Sequence, residues 1–224
     1  MQSIILSLGG SLIVPDEIDT SFLKKFHSMV LRHIKRYRLI IVCGGGRTAR
    51  KYQEAARSIP GVSKDDLDWT GIAATKVNSW LVKSMFGNIA DPTIISDPTK
   101  KIKSKKPIII ASGWKPGFST DFDSVVLAKQ VKAKAVINLT NVDYVYNKDP
   151  RKFKDAKPIK RITWKEFKRI VGGKWTPGLN LPFDPIAAKE AERTKIRVLL
   201  INGKDLKSIE NAILGKAFKG TEIF

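Results

Sequence analysis

The chain has 224 residues, a formal charge of +20 at pH 7, 42% hydrophobic residues and 28% charged ones, as in an ordinary soluble globular protein with a sizeable core. Its apolar runs fall short of the roughly 18 residues that span a bilayer, its one cysteine excludes an internal disulfide, and two histidines are too few for a histidine-rich metal site. The N-terminal MQSIILSLGG lacks a basic flank and a small-residue cleavage site, so no leader and no membrane partner are expected, and the cytoplasm is the expected compartment.

The first apolar run, Ile4–Leu6, leads into Gly9-Gly10-Ser11. Phe22, Phe26, Val30 and Ile34 then recur at intervals of four, one face of a helix. Leu39–Cys43 is the next strand, followed by Gly44-Gly45-Gly46 and by Arg47, Arg50 and Lys51 on the first turns of another helix. Ala73, Val77, Trp80 and Ser84 mark the inward face of a further helix. The strands Ile108–Ala111 and Val136–Leu139 are followed by SGWKPGFST and TNVDYVYNKDP. Thr163-x-x-Glu166 is a capping box before Phe167 and Ile170, and Asp184-Pro185 pairs an N-cap with proline at the first helical position. Val198–Ile201, followed by Asn202-Gly203, closes the series. These runs are too short for helices and rich in β-branched residues, so strand alternating with helix predicts an α/β layered fold with a mainly parallel sheet. With no repeat or linker, it reads as a single domain, with any division into two lobes near Asp121.

A charge of +20 predicts attraction for anions, either nucleotides or RNA. The densest patch, KKIKSKK, holds five lysines in Lys100–Lys106 but no aromatic for base stacking, so it reads as a solvated loop and nucleic acid is not an expected partner. The strand ends are more telling. Glycine in ordered structure costs backbone entropy, and the Gly44–Gly46 run has two readings: a tight strand-to-helix turn, or bare backbone at a helix N-terminus holding a phosphate beside guanidinium groups. Ligands of open α/β sheets bind beyond the carboxyl ends of the strands, where these polar and glycine-rich segments fall. No G-x-x-x-x-G-K-S/T, G-x-G-x-x-G or G-x-S-x-G motif occurs. Distributed anion-friendly loops suit phosphoryl transfer, which depends more on positioning and charge neutralisation than on a nucleophilic side chain.

The segments LSLGGS, VCGGGRTARKY, DWTGIAATKVN, SGWKPGFSTD, TNVDYVYNKDPRKFKDAK and FDPIAAKEAERTKIRVLLING occur in the order found in UMP kinases of the amino acid kinase superfamily, and the chain most resembles the archaeal-type, short-chain branch. The resemblance implies a three-layer α/β/α sandwich, an acceptor lobe at about residues 1–120, an ATP lobe at about 121–224, Mg²⁺ bound with ATP, and a homohexamer built from dimers. It also implies phosphorylation of UMP by ATP within pyrimidine biosynthesis. On this resemblance Gly9, Gly10 and Gly45 face ATP, Gly44 faces the UMP phosphate, and Arg50 neutralises phosphate charge. Thr140, Asn141, Tyr146 and Asp149 line the ATP site. Asp68 accepts from the UMP ribose, while Trp114, Lys115, Pro116, Gly117, Phe118, Ser119 and Thr120 wrap the nucleotide.

Structural readings stand beside these roles. Asp68 reads also as a helix N-cap, Thr120 with Asp123 as a capping pair, Tyr146 as a core aromatic, and Asp149-Pro150 as a turn. Thr75 and Asn78, one helical turn apart, are assigned to structure. The chain departs from the family at Ser7, where many members carry a lysine, and at Tyr144, where glycine is usual and a positive φ would strain tyrosine. The segment GGKWTPGLNLPFDP, with Trp175, is also atypical. Lys115 is the first candidate to supply the missing cation as a catalytic residue, and Lys189 the second. A relative with another small acceptor and a non-catalytic nucleotide-binding protein are the alternative functions.

Overall fold

The structure is a computed structural model that describes residues 1–148, 150, 152–171 (171 by its backbone) and 183–224. In chain order the strands are β1 (Gln2–Leu8), β2 (Tyr37–Cys43), β3 (Ile108–Ala111), β4 (Ala135–Thr140), β5 (Val145–Tyr146), β6 (Pro158–Ile159), β7 (Arg161–Ile162), β8 (Arg197–Asn202) and β9 (Thr221–Ile223). The helices are α1 (Gly10–Ile13), α2 (Thr20–Leu31), α3 (Gly46–Arg57), α4 (Lys64–Phe86), α5 (Thr120–Gln130), α6 (Trp164–Val171), α7 (Pro185–Thr194) and α8 (Leu206–Ile213).

Among the described residues, seven strands form one sheet in the order β3-β2-β1-β4-β8-β9-β7. Its neighbours pair in parallel except for β8 with β9, while β5 and β6 make a separate antiparallel ribbon. The five expected strands are thus β1, β2, β3, β4 and β8. They are buried on both faces, which is why they read as unbroken apolar runs. One face packs against α1, α2, α4 and α8 through residues such as Phe26, Met29 and Ile209. The other packs against α5, α6 and α7 through Val125, Phe167, Phe183 and Ala187. Phe26, Phe167 and Phe183 are fully buried, and each such side chain contributes about 1.5–3 kcal/mol. This is the expected three-layer α/β/α sandwich.

Two helix expectations need correction. Helix α2 ends at Leu31, so Ile34 lies in the turn beyond it. In α4 the buried line includes Ile72, Thr75, Ser79, Val82 and Phe86, whereas Val77 and Trp80 are 64% and 56% exposed. The inward side chains are partly polar because they bond to backbone: Ser79 donates to the Ala111 carbonyl at 3.0 Å, and Thr75 Oγ1 accepts from Gly113 at 2.8 Å. A search for an apolar stripe therefore selects the wrong face. The capping signals hold, with Thr163 and Glu166 capping each other's backbone N–H groups and Asp184 accepting from Ile186 and Ala187.

From β1 the chain builds outward through β2 to β3, then returns to place β4 on the other side of β1. The strand order reverses there, and a crevice opens beyond the carboxyl ends of β1, β2 and β4.

Candidate functional site

The floor of this crevice explains the glycines. The loop after β1 and the loop after β2 lie backbone against backbone: a Cβ on Gly10 would sit 2.0 Å from the Gly46 nitrogen, and one on Gly44 would sit 2.5 Å from the Gly10 nitrogen. Gly46 also has φ of 63°, which side-chain-bearing residues rarely adopt. Asn78 donates to the Gly44 and Gly45 carbonyls at 2.8 and 3.1 Å, fixing the triplet at the start of α3. The positive end of that helix faces a cleft of about 580 Å³.

Arg50, one turn into α3, is the single cation among the described residues lining the cleft. Its neighbours are engaged elsewhere, Arg47 with Glu54 at 3.6 Å and Lys51 with Glu17 at 3.4 Å. Arg50 itself has no ion-pair partner among the described residues, so its guanidinium is available to an anion.

Asp68 forms part of the opposite wall. It is not an N-cap: Ser63 caps α4 with Asp66 in a reciprocal box, and Asp68 lies a turn further in, 8% exposed. Its Oδ2 accepts from Gly117 N–H at 2.9 Å, which ties α4 to the 114–120 segment. Phe118, Ser119 and Thr120 line the cleft from that segment, whereas Trp114, Lys115, Pro116 and Gly117 lie outside its wall. The Lys115 ammonium rests over the Trp114 ring, 4.0 Å from its centroid. The cap of α5 is Ser119, which accepts from Phe122 at 3.2 Å and donates to Asp184 Oδ2 at 2.6 Å. Thr120 is therefore the first helical residue and not part of a capping pair with Asp123.

Between the walls lies a carboxylate network absent from the sequence-derived site. Asp121 Oδ1 accepts from Ser7 at 3.2 Å and Asn138 at 2.8 Å, and its Oδ2 accepts from the Asp184 backbone at 3.2 Å. Burial, reinforced by the Asp184 charge, pushes the Asp121 carboxyl up to about 7 against these hydrogen bonds. Asp123, fully buried behind it, is pushed up to about 8, chiefly by burial and further by Asp121, Asp97 and Asp184, while the Trp114 N–H opposes the shift. Its Oδ1 has no hydrogen-bond partner, consistent with a protonated carboxyl. Two signals point to this network in the sequence: Asn138, a polar residue within the β4 apolar run, and Asp184, which serves α7 as N-cap while facing the cleft.

On the remaining side Thr140 and Asn141 line the cleft, as do Gly9, Gly10, Gly44 and Gly45. Tyr146 lies in β5, edge-on to Tyr144 at 6.4 Å and outside the wall, and Lys189 is exposed on α7, also outside it. Tyr144 is unstrained: among the described residues, Lys132 and Lys195 are the non-glycines with positive φ. Asp149 and Trp175 lie outside the described residues. A fixed anion cradle, one free guanidinium and a carboxylate on the facing wall can hold a phosphorylated, hydroxyl-bearing ligand.

A family model described as the amino acid kinase family matches residues 2–202. The uridylate kinase of Methanospirillum hungatei is 35% identical over 224 residues, covering 99% of this chain and 94% of that protein. The uridylate kinase of Thermococcus onnurineus is 35% identical over 216 residues, covering 95% of this chain and 96% of that protein. The crystal structure of uridylate kinase from Archaeoglobus fulgidus superposes with a TM-score of 0.84 at 32% identity, covering 100% of both chains. The UMP kinase structure from Ureaplasma parvum, 20% identical over 99% of this chain and 98% of that one, shares the fold with a TM-score of 0.80.

Proposed function

The chain belongs to the amino acid kinase family, and on that premise we propose that it transfers the γ-phosphoryl group of ATP to UMP, giving ADP and UDP. The observation that carries this reading is the meeting of the two glycine loops and free Arg50 with Asp68 across one cleft. A phosphate oxygen of UMP forms the new bond to the γ-phosphorus, and the bond to the ADP oxygen breaks with its electrons passing to ADP. No side chain has to remove a proton from a phosphate acceptor. Gly9, Gly10 and Gly45 hold ATP phosphates, Gly44 and Arg50 hold the UMP phosphate near the transfer point, and Asp68 accepts from the UMP ribose. Phe118, Ser119 and Thr120 close over the acceptor, and Thr140 and Asn141 contact ATP. The acceptor lobe spans about residues 1–120 and the ATP lobe about 121–224.

The cleft sets three carboxylates, Asp68, Asp121 and Asp184, against one cation, Arg50. Neutralisation therefore falls largely to Mg²⁺ arriving with ATP, and the hard oxygens of Asp121 and Asp184 suit that ion. When bound, the ion offsets charge on the phosphoryl oxygens.

No helix among the described residues is long and apolar enough to cross a membrane, and a cytoplasmic role in pyrimidine biosynthesis goes with this function. A homohexamer built from dimers is the assembly that goes with this function. Trp69, Ala73, Val77 and Trp80 leave a largely apolar stripe on the outer face of α4, with exposed Lys76 beside its middle, Asp65 near one end and Lys83 near the other. A second copy laid antiparallel would meet apolar residues with apolar ones and opposite charges at the ends.

An ADP-release assay across UMP, CMP, dUMP and non-nucleotide acceptors tests the function, with release expected for UMP. The scarcity of cations favours one second reading, a nucleotide-binding protein without efficient transfer. Tight ATP binding with silence for every acceptor would establish that reading instead.

A further inference from the structure

We infer that the end of the sheet opposite the cleft binds single-stranded nucleic acid in a basic, aromatic-lined groove. The groove, about 1040 Å³, runs between the segment after α8 and the amino ends of β1, β4 and β8. Exposed Lys134, Lys160 and Lys216 line it with no ion-pair partner among the described residues. Half-buried Tyr144 and Phe218 line it as well. Tyr144 shares the groove wall with these lysines.

The positive surface continues past the groove. Lys134 belongs to the α5–β4 turn, which also carries Lys132, and Lys129 lies just before it in the last turn of α5. Gln130, between them, donates to the Pro98 and Lys100 carbonyls at 3.0 Å each and accepts from Ile102 N–H at 2.9 Å. That side chain fastens the Lys100–Lys106 loop to the same turn. The lysine run thus lacks stacking aromatics in sequence but joins a surface that has them in the fold. The cleft, by contrast, carries more carboxylates than cations, so the excess positive charge of the molecule lies elsewhere.

This combination fits a single polynucleotide strand. Lysines along a track neutralise successive phosphates, and aromatic faces stack unpaired bases without regard to sequence. A duplex would hide the base faces that Tyr144 and Phe218 can stack. One mononucleotide would leave the Lys100–Lys106 end of the track unused, and a flat bilayer cannot enter a groove. None of the groove residues lines the cleft, so the inference stands apart from the kinase reading.

Fluorescence anisotropy of labelled oligouridylate with the full chain, at rising KCl, tests it. The expected result is salt-dependent binding. The combined variant Lys134→Glu, Lys160→Glu, Lys216→Glu should weaken it at least about tenfold and flatten the log–log salt slope by about 2, at roughly 0.7 per phosphate contact. Circular dichroism and turnover with ATP and UMP should not change in that variant. Tyr144→Ala should weaken binding about fivefold or more and leave the salt slope intact. Absence of salt-dependent binding, or full binding by the triple variant, overturns the proposal. So does displacement of the oligonucleotide by UTP, or capture by phosphatidylserine vesicles without capture of the oligonucleotide.

Discussion

Ser7 and Asp121, 114 positions apart in the sequence, meet at the bottom of the cleft, where the Ser7 hydroxyl donates to Asp121 Oδ1 across 3.2 Å. Many family members carry lysine at the position of Ser7. Here a neutral hydroxyl and the Asn138 amide share one carboxyl oxygen, and burial beside the Asp184 charge holds the carboxyl up near 7. Lys115 rests over Trp114, and Lys189 lies outside the cleft wall.

Restoring the family residue should therefore help. Ser7 is 3% exposed, and a lysine there would place its ammonium against Asp121 at the point of transfer. Ser7→Lys is expected to raise turnover with ATP and UMP at least about threefold, a gain of roughly 0.7 kcal/mol in the barrier. Unchanged turnover in steady-state assays would mean that the metal carried by ATP already supplies enough charge.

Removing the single cation that lines the cleft among the described residues should have the opposite effect. Arg50→Ala is expected to lower turnover at least about tenfold, or roughly 1.4 kcal/mol of transition-state stabilisation. Arg50 makes no ion pair among the described residues, so thermal stability should hold. A folded variant with normal kinetics would reduce the glycine triplet to a strand-to-helix turn.

Asp68→Asn separates ligand contact from structure. The amide oxygen can still accept from Gly117 N–H, so the 114–120 segment should stay in place. Loss of the charged acceptor should weaken UMP much more than ATP in separate calorimetric titrations. Equal weakening of both would show that Asp68 acts through the fold alone.

The buried carboxyls predict a pH dependence of the ligand-free protein. Asp121 and Asp123 hold their protons up to about 7 and about 8, well above the unfolded value near 3.9. Between these limits the folded state binds more protons, so the stabilisation is complete below about pH 4 and is lost as pH rises through 7 to 8. The melting temperature should fall between pH 5 and pH 8.5 on this account. Asp123→Asn, which imitates the protonated form, should flatten that decline; an unaltered profile would remove Asp123 as its source.

The outer face of α4 supplies an assembly prediction. Val77→Glu with Trp80→Glu should cost the isolated subunit little, since both side chains are exposed, yet should drive the proposed oligomer towards monomers by placing charge in the proposed apolar interface. Light scattering after size-exclusion chromatography reads this directly. An unchanged mass would move the interface elsewhere.

The sequence alone determined the layered fold, because β1, β2, β3, β4 and β8 are buried on both faces and keep unbroken β-branched runs whatever surrounds them. It also determined the glycine loops that line the cleft, since backbone closeness at Gly10, Gly44 and Gly46 tolerates no side chain. The α4 face was not legible, because Thr75, Asn78 and Ser79 are buried through hydrogen bonds to loops 32 to 38 positions away. Nor was the carboxylate floor, whose members Ser7, Asp121, Asn138 and Asp184 come from four separate segments. A local pattern records how a residue meets its own helix or strand. Shared burial and mutual repulsion, which raise the Asp121 and Asp123 pKa values, exist only once distant segments are packed together.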